Sequence, residues 1–436
     1  MKWPMIGPDK ACFAMEFVVN NFALMARIQG EFTTEQLNHV LERVSQRYLP
    51  AAARAVFEGH QGWFTTEGVP AIRAREIKNC NEQDWEKEAC FELTKPFSTR
   101  LGPQVRAVLL RGAQYSDLLL TFNHGNVDGM AGVYFLRDTL YLLGNPHGQI
   151  ESLPPPPRLA ELVPAEVRNN TRVKFQINIV RFFFFLYMGI RRLLNWVRPK
   201  QPPDLSLIPS LRPVSLIAWE WDKEKTDALV ARSKQEKTSV QGAICAAWMR
   251  AQADVASDEN RWQRKVSSPV NLRSALGDAV GEAFGSYNTS ITTAADCNPD
   301  IDFWDVARNV RQQLLAETSN PPKIKWTLFN AAIVDLMRVE EIQAMSSGSS
   351  SGPVDYDFSI TNLGRLQIPV AQGDLRIKTV RGTLVNSAEQ ERTVGVNTFD
   401  ERLHFSFLFR EHYLPRKEAE YLVERAMFHL SEAFGK

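Results

Sequence analysis

Residues 118–132, LLLTFNHGNVDGMAG, impose the strongest local constraint on how this chain can fold. The stretch begins inside the apolar run DLLLTF (117–122), which has the length of a buried strand. It continues into MAGVYFLRDTLYLL (130–143), which has the length and apolar content of a packed helix. The sequence therefore predicts a strand, a sharp turn and a helix, with His124 and Asp128 in the turn.

Helices and strands are mixed in both halves of the chain. In the first half, TTEQLNHVLERVSQRY has Thr33 and Gln36 at capping-box spacing and predicts an amphipathic helix, and QVRAVLLR (104–111) partly alternates as a strand does. In the second half, helices are predicted at 239–255, at 302–317 and from near Pro415. Strands are predicted for KVSSPVNL, FGSYNTSIT, DYDFSIT, DLRIKTV, RTVGVNTF and RLHFSFLF.

The length of the chain and its proline runs predict two lobes. At 436 residues the chain is too long for one ordinary core. Four consecutive prolines end at Pro157 and mark the start of a connector, and Pro202, Pro203 and Pro213 mark its far side. We therefore expect a fold of mixed α/β type, with an N-terminal lobe at 1–155, a crossover at 156–213 and a C-terminal lobe at 214–436.

The crossover contains an unusual apolar segment, RVKFQINIVRFFFFLYMGIRRLLNWVRPK. A membrane span needs about 20 residues without charge, and Arg181 interrupts this segment, so a span is not predicted. The basic flanks and the Phe cluster suit a helix at residues 175–197 that lies on a lipid surface or on a long apolar substrate. A helix buried between the lobes is the alternative interpretation, and the sequence leaves both open.

Composition excludes several classes of protein. Lys+Arg total 51 against 50 for Asp+Glu, which gives no general attraction to nucleic acid. Five scattered cysteines suggest neither a disulfide framework nor a zinc site, and the N-terminal residues do not resemble a signal peptide, so we expect a cytoplasmic protein. The usual glycine-rich signatures of dinucleotide and nucleoside-triphosphate sites do not occur.

The turn NHGNVDG carries the clearest chemical content. A neutral histidine has an unperturbed pKa of about 6.5 and can accept a proton near physiological pH. Gly125 and Gly129 permit unusual backbone angles and close approach, and Asp128 can orient the turn through a charged partner. The alternative is structural, with His124 as an ordinary turn histidine and Asp128 as a helix cap.

Two later segments contain candidate partners for this turn. Arg273 follows a predicted strand, and Thr361-Asn362-Leu363-Gly364 is predicted as a polar turn that ends another. The sequence GSSSG (348–352) formally matches a serine-hydrolase elbow, but it precedes a strand instead of joining a strand to a helix. His404 and His412 lack metal-ligand spacing, so no metal site is predicted.

Taken in order along the chain, these segments resemble the HHxxxDG acyltransferase superfamily. That superfamily includes condensation domains of nonribosomal peptide synthetases, polyketide-associated alcohol acyltransferases, wax-ester synthases and the plant BAHD enzymes. The resemblance covers the helix GEFTTEQLNHVLERVSQRY, the NHGNVDG turn, PVNLR and SITNLG. It implies two chloramphenicol-acetyltransferase-like lobes with a central tunnel.

The resemblance also implies roles for individual residues. His124 is implied as the general base, Asp128 as a structural residue paired with Arg273 between the lobes, and Gly129 as the residue that allows the turn. Asn123 stands where the motif has its first His. Asn123 and Asn362 are the candidate substrate-binding residues.

The implied activity is transfer of an acyl group from a thioester to a hydroxyl, or less favourably to an amine. The co-substrate would be acyl-CoA or an acyl carrier protein, with no bound cofactor. Two alternatives remain open at this point. One is a free-standing condensation enzyme that joins carrier-tethered chains through an amide or ester. The other is a non-catalytic binding or docking member of the fold.

Overall fold

The chain folds into sheets covered by helices. The structure is a computed structural model that describes residues 1–5, 19–58, 61–125, 127–157, 162, 169–197, 212–257, 259–278, 280–318, 354–385 and 392–435. Along these residues the strands are Lys2–Pro4 (β1), Asn21–Gln29 (β2), Arg54–Glu58 (β3), Gln61–Thr65 (β4), Ala74–Ile77 (β5), Val105–Arg111 (β6), Ser116–Asn123 (β7), Ser215–Trp221 (β8), Gln263–Asn271 (β9), Asn288–Asp296 (β10), Phe358–Arg365 (β11), Ala371–Gln372 (β12), Leu375–Val385 (β13), Thr393–Phe399 (β14) and Arg402–Phe409 (β15).

The helices alternate with these strands along the chain. They are Thr34–Arg47 (α1), Asp84–Thr94 (α2), Gly129–Gly144 (α3), Thr171–Val197 (α4), Lys223–Gln235 (α5), Val240–Val255 (α6), Arg273–Leu276 (α7), Phe303–Thr318 (α8) and Arg416–Gly435 (α9). A short 3-10 helix spans Leu49–Ala52. Within the described residues, β1, β4 and β3 form a small sheet, and two larger sheets have six strands each.

The N-terminal sheet has the strand order β12-β13-β2-β7-β6-β5. Successive side chains of a strand point to opposite faces. On β7, Leu118 and Leu120 therefore join the core under α1 and α3, while Leu119 joins a second core with residues of α2. Because both faces of β7 are covered, the strand appears in the sequence as a continuous apolar run.

Helix α1 follows the predicted capping pattern. The Thr33 hydroxyl accepts the backbone N–H of Gln36, and the Gln36 side chain accepts the backbone N–H of Thr33. The apolar face of the helix is buried in the core of the N-terminal sheet, through Leu37, Val40, Leu41, Val44 and the adjoining Tyr48. The helix fixes one wall of the lobe that carries the NHGNVDG turn.

The C-terminal sheet has the strand order β10-β9-β11-β14-β15-β8. Its core combines α6, α8 and α9 with aromatic side chains of the sheet. Trp248 on α6 is buried against Phe358 and Phe407, with ring centroids 5.0 Å and 4.9 Å away. This packing holds β11 and β14, the two parallel central strands, in fixed positions.

Strands β12 and β13 return from the C-terminal half to the N-terminal sheet. β13 pairs antiparallel with β2 from Arg376 to Val385. The expected C-terminal lobe at 214–436 therefore includes a segment that hydrogen-bonds with the other lobe. Sequence patterns show that such a segment is a strand, but they do not show which edge it pairs with.

The two sheets touch where β13 passes β14. Asn397 on β14 donates to the Val380 carbonyl at 2.9 Å, and the Ser406 hydroxyl donates to the Gly382 carbonyl at 2.7 Å. A Cβ atom at Gly395 would lie 2.6 Å from the Gly382 carbonyl oxygen and would also clash with the Ser406 side chain. Glycine at position 395 thus sets the closest approach of the two sheets.

We expect Gly395→Ala to lower the free energy of unfolding by about 1–3 kcal/mol, because the added methyl must push backbone apart between the sheets. Urea denaturation measures this directly. Gly189→Ala is the control, since a Cβ there meets nothing within 4 Å and the residue lies inside α4. The control should cause no loss, and equal stability of both variants would contradict the close approach.

Candidate active site

A cavity of about 200 Å³ lies where the two sheets meet. Its walls come from β2, β9, β11, β13, β14 and the first residue of β10, together with the turn after β7 and the start of α3. Most of the lining is apolar or glycine. The polar side chains in the lining are His124, Asp128, Asn271, Asn288, Thr361, Asn362 and Thr383.

His124 follows directly after β7 and lines this cavity. Its backbone N–H donates to the Asn20 carbonyl at 2.9 Å, which continues the pairing of β7 with the residues before β2. Its ring packs edge-on against Phe22, with centroids 5.2 Å apart. The position of the imidazole is therefore set by rigid sheet and by an aromatic neighbour.

The hydrogen bond of the imidazole defines its tautomer. Nδ1 lies 2.7 Å from the Val127 carbonyl oxygen, and a carbonyl oxygen only accepts. Nδ1 therefore carries the proton and donates, which leaves the lone pair on Nε2. Removal from water lowers the pKa of His124, although the Val127 carbonyl and the Asp128 carboxylate oppose that shift. The ring is thus neutral at physiological pH, with one basic nitrogen.

Asn123 has a supporting position instead of the substrate contact expected from the sequence. Its amide NH₂ donates to the Gln104 side-chain oxygen at 2.8 Å, and its own oxygen accepts the Gly125 N–H at 3.1 Å. Gln104 is fully buried and in turn donates to the Ala53 carbonyl. Among the described residues that line the cavity, Asn123 does not occur. Both ends of its side chain brace the turn.

Asp128 is the N-cap of α3 and is almost completely buried. Oδ1 accepts the Ala131 N–H at 2.8 Å, as a helix cap does. Oδ2 accepts the Tyr287 N–H at 2.8 Å, from the other lobe. The backbone N–H of Asp128 also donates to the Gly285 carbonyl at 3.2 Å. The residue therefore acts both as a helix cap and as a bridge between lobes.

The structure brings Arg273 to Asp128. Nη2 of Arg273 lies 2.9 Å from both carboxylate oxygens, and only 7% of the arginine is exposed. Nη1 donates to the carbonyls of Gly281 and Ala283. Two charges can stay buried when they are paired and when most of their remaining polar atoms are hydrogen-bonded. Both Nη atoms of Arg273 meet this condition, whereas its buried Nε has no hydrogen-bond partner among the described residues. The turn before α3 is thereby locked to the C-terminal lobe.

Gly129 lines the cavity, and of the two reasons expected for glycine here, close approach is the one that the structure shows. It is the first residue of α3, and it is not among the described glycines with positive φ. A Cβ at Gly129 would lie 2.7 Å from Cδ2 of Leu363. The requirement for glycine here is space beside β11, and an unusual backbone angle is not needed.

The segment at Asn362 is a bulge inside β11, where the sequence suggested a turn at the end of a strand. The pairing with β14 shifts register between Asn362 and Arg365, and Gly364 has φ +69°. The Asn362 oxygen accepts the Gly364 N–H at 2.8 Å. The amide NH₂ of Asn362 is therefore the end that remains for a ligand in the cavity.

The other candidate sites carry less chemistry. Within the described part of the chain, no group of three His, Cys, Asp or Glu side chains is placed to hold a metal ion. His404 is buried, with Nδ1 3.3 Å from Glu220. GSSSG lies outside the described residues.

Comparisons with known proteins agree on one superfamily. Residues 212–408 match the family model described as the phthiocerol/phthiodiolone dimycocerosyl transferase C-terminus. TRI3 trichothecene 15-O-acetyltransferase from Fusarium sporotrichioides is 10% identical at a TM-score of 0.70, over 99% of this chain and 95% of that one. The first condensation domain of the calcium-dependent antibiotic synthetase is 13% identical at a TM-score of 0.69, over 100% and 96%. The predicted resemblance to the HHxxxDG acyltransferase superfamily is confirmed.

A third structure extends the comparison to a polyketide-associated member. Polyketide synthase associated protein 5 from Mycobacterium tuberculosis is 14% identical at a TM-score of 0.64, over 97% of both chains. The two-lobed α/β fold expected from the HHxxxDG resemblance is confirmed as well. A search of curated protein sequences gave no match.

A second contact between the lobes was not predicted from the sequence. Glu282 accepts from both Nη atoms of Arg137 at 2.6 Å and 2.7 Å, and from Arg47 at 2.7 Å. The hydrogen bonds from Arg137 hold the pKa of the Glu282 carboxyl below its usual range. Charged residues on helices and loops usually face solvent, so their sequence pattern gave no sign of this cluster.

We expect Asp128→Ala to lower the free energy of unfolding by about 3–5 kcal/mol, because it leaves the Arg273 guanidinium buried without a carboxylate. Urea denaturation provides the measurement. Asp227→Ala is the control, since its ion pair with Lys223 lies in solvent and should contribute about 0–1 kcal/mol. A loss as small for Asp128→Ala as for the control would show that the buried pair does not hold the lobes.

Proposed function

We propose that this chain transfers an acyl group from a thioester to a hydroxyl, with His124 as the general base. One observation carries the proposal most directly. The Val127 carbonyl holds the proton of the imidazole on Nδ1, so that the basic Nε2 is the nitrogen available in the cavity between the lobes. A general base needs an unprotonated nitrogen within hydrogen-bond reach of the proton that it takes.

The reaction would proceed in one direct transfer. The hydroxyl oxygen attacks the thioester carbonyl carbon while Nε2 of His124 takes the hydroxyl proton. The tetrahedral intermediate then collapses, its C–S bond breaks, and the leaving sulfur recovers the proton from Nε2. Because a thioester is already activated, a covalent acyl-enzyme is not required, and a positioned base contributes about 10²–10⁴-fold.

Polar side chains in the cavity lining would form hydrogen bonds with the tetrahedral intermediate and with the acceptor. Asn362 presents an amide NH₂ because its oxygen is already bonded to Gly364. Thr361 and Asn288 line the same cavity. We propose Asn362 as a hydrogen-bond donor to the substrate, since fixed donors near developing negative charge are the usual source of transition-state stabilisation. Asp128 and Arg273 are positioning residues in this scheme.

The apolar lining supports an acyl chain or acceptor with substantial hydrocarbon surface. Phe22, Leu24, Met130 and Val396 are among the cavity residues, and burying apolar surface against them is favourable. The name of the matching family model, a dimycocerosyl transferase, and that of the 15-O-acetyltransferase support acyl transfer to oxygen. Acyl-CoA and an acyl carrier protein are the proposed donors.

The test is thiol release from a panel of acyl-CoAs with alcohol and amine acceptors. We expect release that depends on an alcohol and that falls about 10²–10⁴-fold in His124→Ala, because the base is lost. His39→Ala is the control, since His39 is exposed on α1 and should leave turnover unchanged.

Other results would point elsewhere. Release that requires an amine would favour the condensation alternative, for which the likeness to a condensation domain gives support. If CoA donors fail, acylated carrier proteins are the second panel. Full activity in His124→Ala would contradict the assigned base, and no transfer from either donor class would favour a binding role.

A further inference from the structure

Helix α4 carries a large exposed apolar surface that the proposed reaction does not use. It has 27 residues, and at about 1.5 Å per residue it is about 40 Å long. Four of its phenylalanines, Phe175, Phe182, Phe183 and Phe185, have exposed fractions of 62–65%. The interpretation of a helix buried between the lobes is therefore wrong.

One stripe of α4 packs on the rest of the chain. Val173 and Met188 are 2% and 3% exposed, and Ile177, Val180 and Phe184 between them are half-buried. These five positions recur every three or four residues and so share one face of the helix. This face is therefore the less exposed side of the helix.

The exposed apolar side chains lie on the opposite face. They also recur at helical intervals, and their exposed fractions are 40–65%. The set comprises Phe175, Ile179, Phe182, Phe183, Leu186, Ile190 and Leu193. A solvent-exposed apolar face of this size indicates an interaction site.

The charges of α4 are all positive. Between Thr171 and Val197 the sequence contains five lysine or arginine residues and neither aspartate nor glutamate. Lys174 and Arg181 are seven residues apart, which places them along one flank of the helix. A basic flank beside an apolar face matches a surface of anionic lipid headgroups above acyl chains.

We propose that α4 docks this protein on the surface of an anionic bilayer, with its phenylalanine face in the acyl region and its basic flank at the headgroups. The helix lies in the plane of the interface in this arrangement. Val173 and Met188 remain buried in this arrangement, because the docked face is the opposite one.

A transmembrane orientation fits the structure less well. Residues Thr171–Ile190 are long and apolar enough to cross a membrane by length and composition alone. However, Arg181 lies in the middle of that stretch, where a charge in the bilayer core is costly. Crossing would also require the release of Val173 and Met188, which are buried near its two ends.

A second copy of the chain is a poorer partner for the same face. Two α4 helices packed face to face would bring ten positive charges together, five from each copy, with no acidic residue in either helix to pair with them. Anionic lipid supplies the opposite charge that a second copy lacks.

The test is co-sedimentation of the full chain with vesicles of phosphatidylcholine alone or with 30% phosphatidylglycerol. We expect binding to the vesicles with phosphatidylglycerol to be about tenfold or more tighter, because several basic residues meet the anionic surface. Phe182→Asp with Phe183→Asp should reduce binding by about tenfold or more. Phe91→Asp with Phe428→Asp is the matched control, since those phenylalanines are 55% and 48% exposed elsewhere, and it should bind as wild type does.

Several outcomes would overturn the proposal. Equal binding to both vesicle types would contradict the role of the basic flank. Unchanged binding of the Phe182/Phe183 variant would contradict the role of the phenylalanine face. Resistance of the bound protein to alkaline carbonate extraction would indicate a span. A vesicle-independent dimer that the Phe182/Phe183 variant loses, without vesicle binding by the wild type, would assign the face to a second copy. None of these readouts depends on acyl transfer, so they test docking separately from the proposed function.

Discussion

The buried ion pair between Asp128 and Arg273 is the interaction on which the site depends. It joins the helix that follows the NHGNVDG turn to the lobe that supplies the opposite wall of the cavity. Replacing a buried ion pair by apolar residues is often neutral or stabilising, so its value need not lie in net stability. We infer that the ion pair fixes the position of one lobe relative to the other, because Asp128 accepts from Ala131, Tyr287 and Arg273 in a single arrangement of the lobes.

The relative position of the lobes determines which nitrogen of His124 carries the proton. The turn between His124 and Asp128 is short, so fixing Asp128 also fixes the Val127 carbonyl that receives the Nδ1 proton. The other end of the turn is held by the sheet and by the brace from Asn123 to Gln104. A base held at both ends loses little entropy when substrate binds, which is the condition for efficient proton transfer. The glycines at 382 and 395 then allow the sheets to approach closely beside the cavity.

The sequence predicted the parts of this structure that depend on neighbouring residues. The strand, turn and helix around His124 and the capping box of α1 follow from local patterns of burial and hydrogen bonding. Arg273 was assigned through the resemblance to the HHxxxDG superfamily, because no local sequence pattern connects it with Asp128, which is far away along the chain. The return of β13 to the N-terminal sheet was not predictable, since strand pairing is a long-range choice that period-two patterns do not encode. The bracing of Asn123 by Gln104 was not predictable for a similar reason, because Gln104 directly precedes β6, the strand next to β7 in the sheet.

The central claim is that His124 is neutral, protonated on Nδ1 and basic on Nε2 when the lobes are assembled. Nitrogen-15 NMR of histidine-labelled protein through a pH titration tests it directly, with the His124 signals assigned by their loss in a variant. We expect Nδ1 to be protonated and Nε2 to be unprotonated at pH 7. Because burial lowers the pKa of His124 from 6.5, Nε2 should take up a proton only below that pH. A proton on Nε2 at pH 7, in either the other neutral tautomer or the charged ring, would contradict the account.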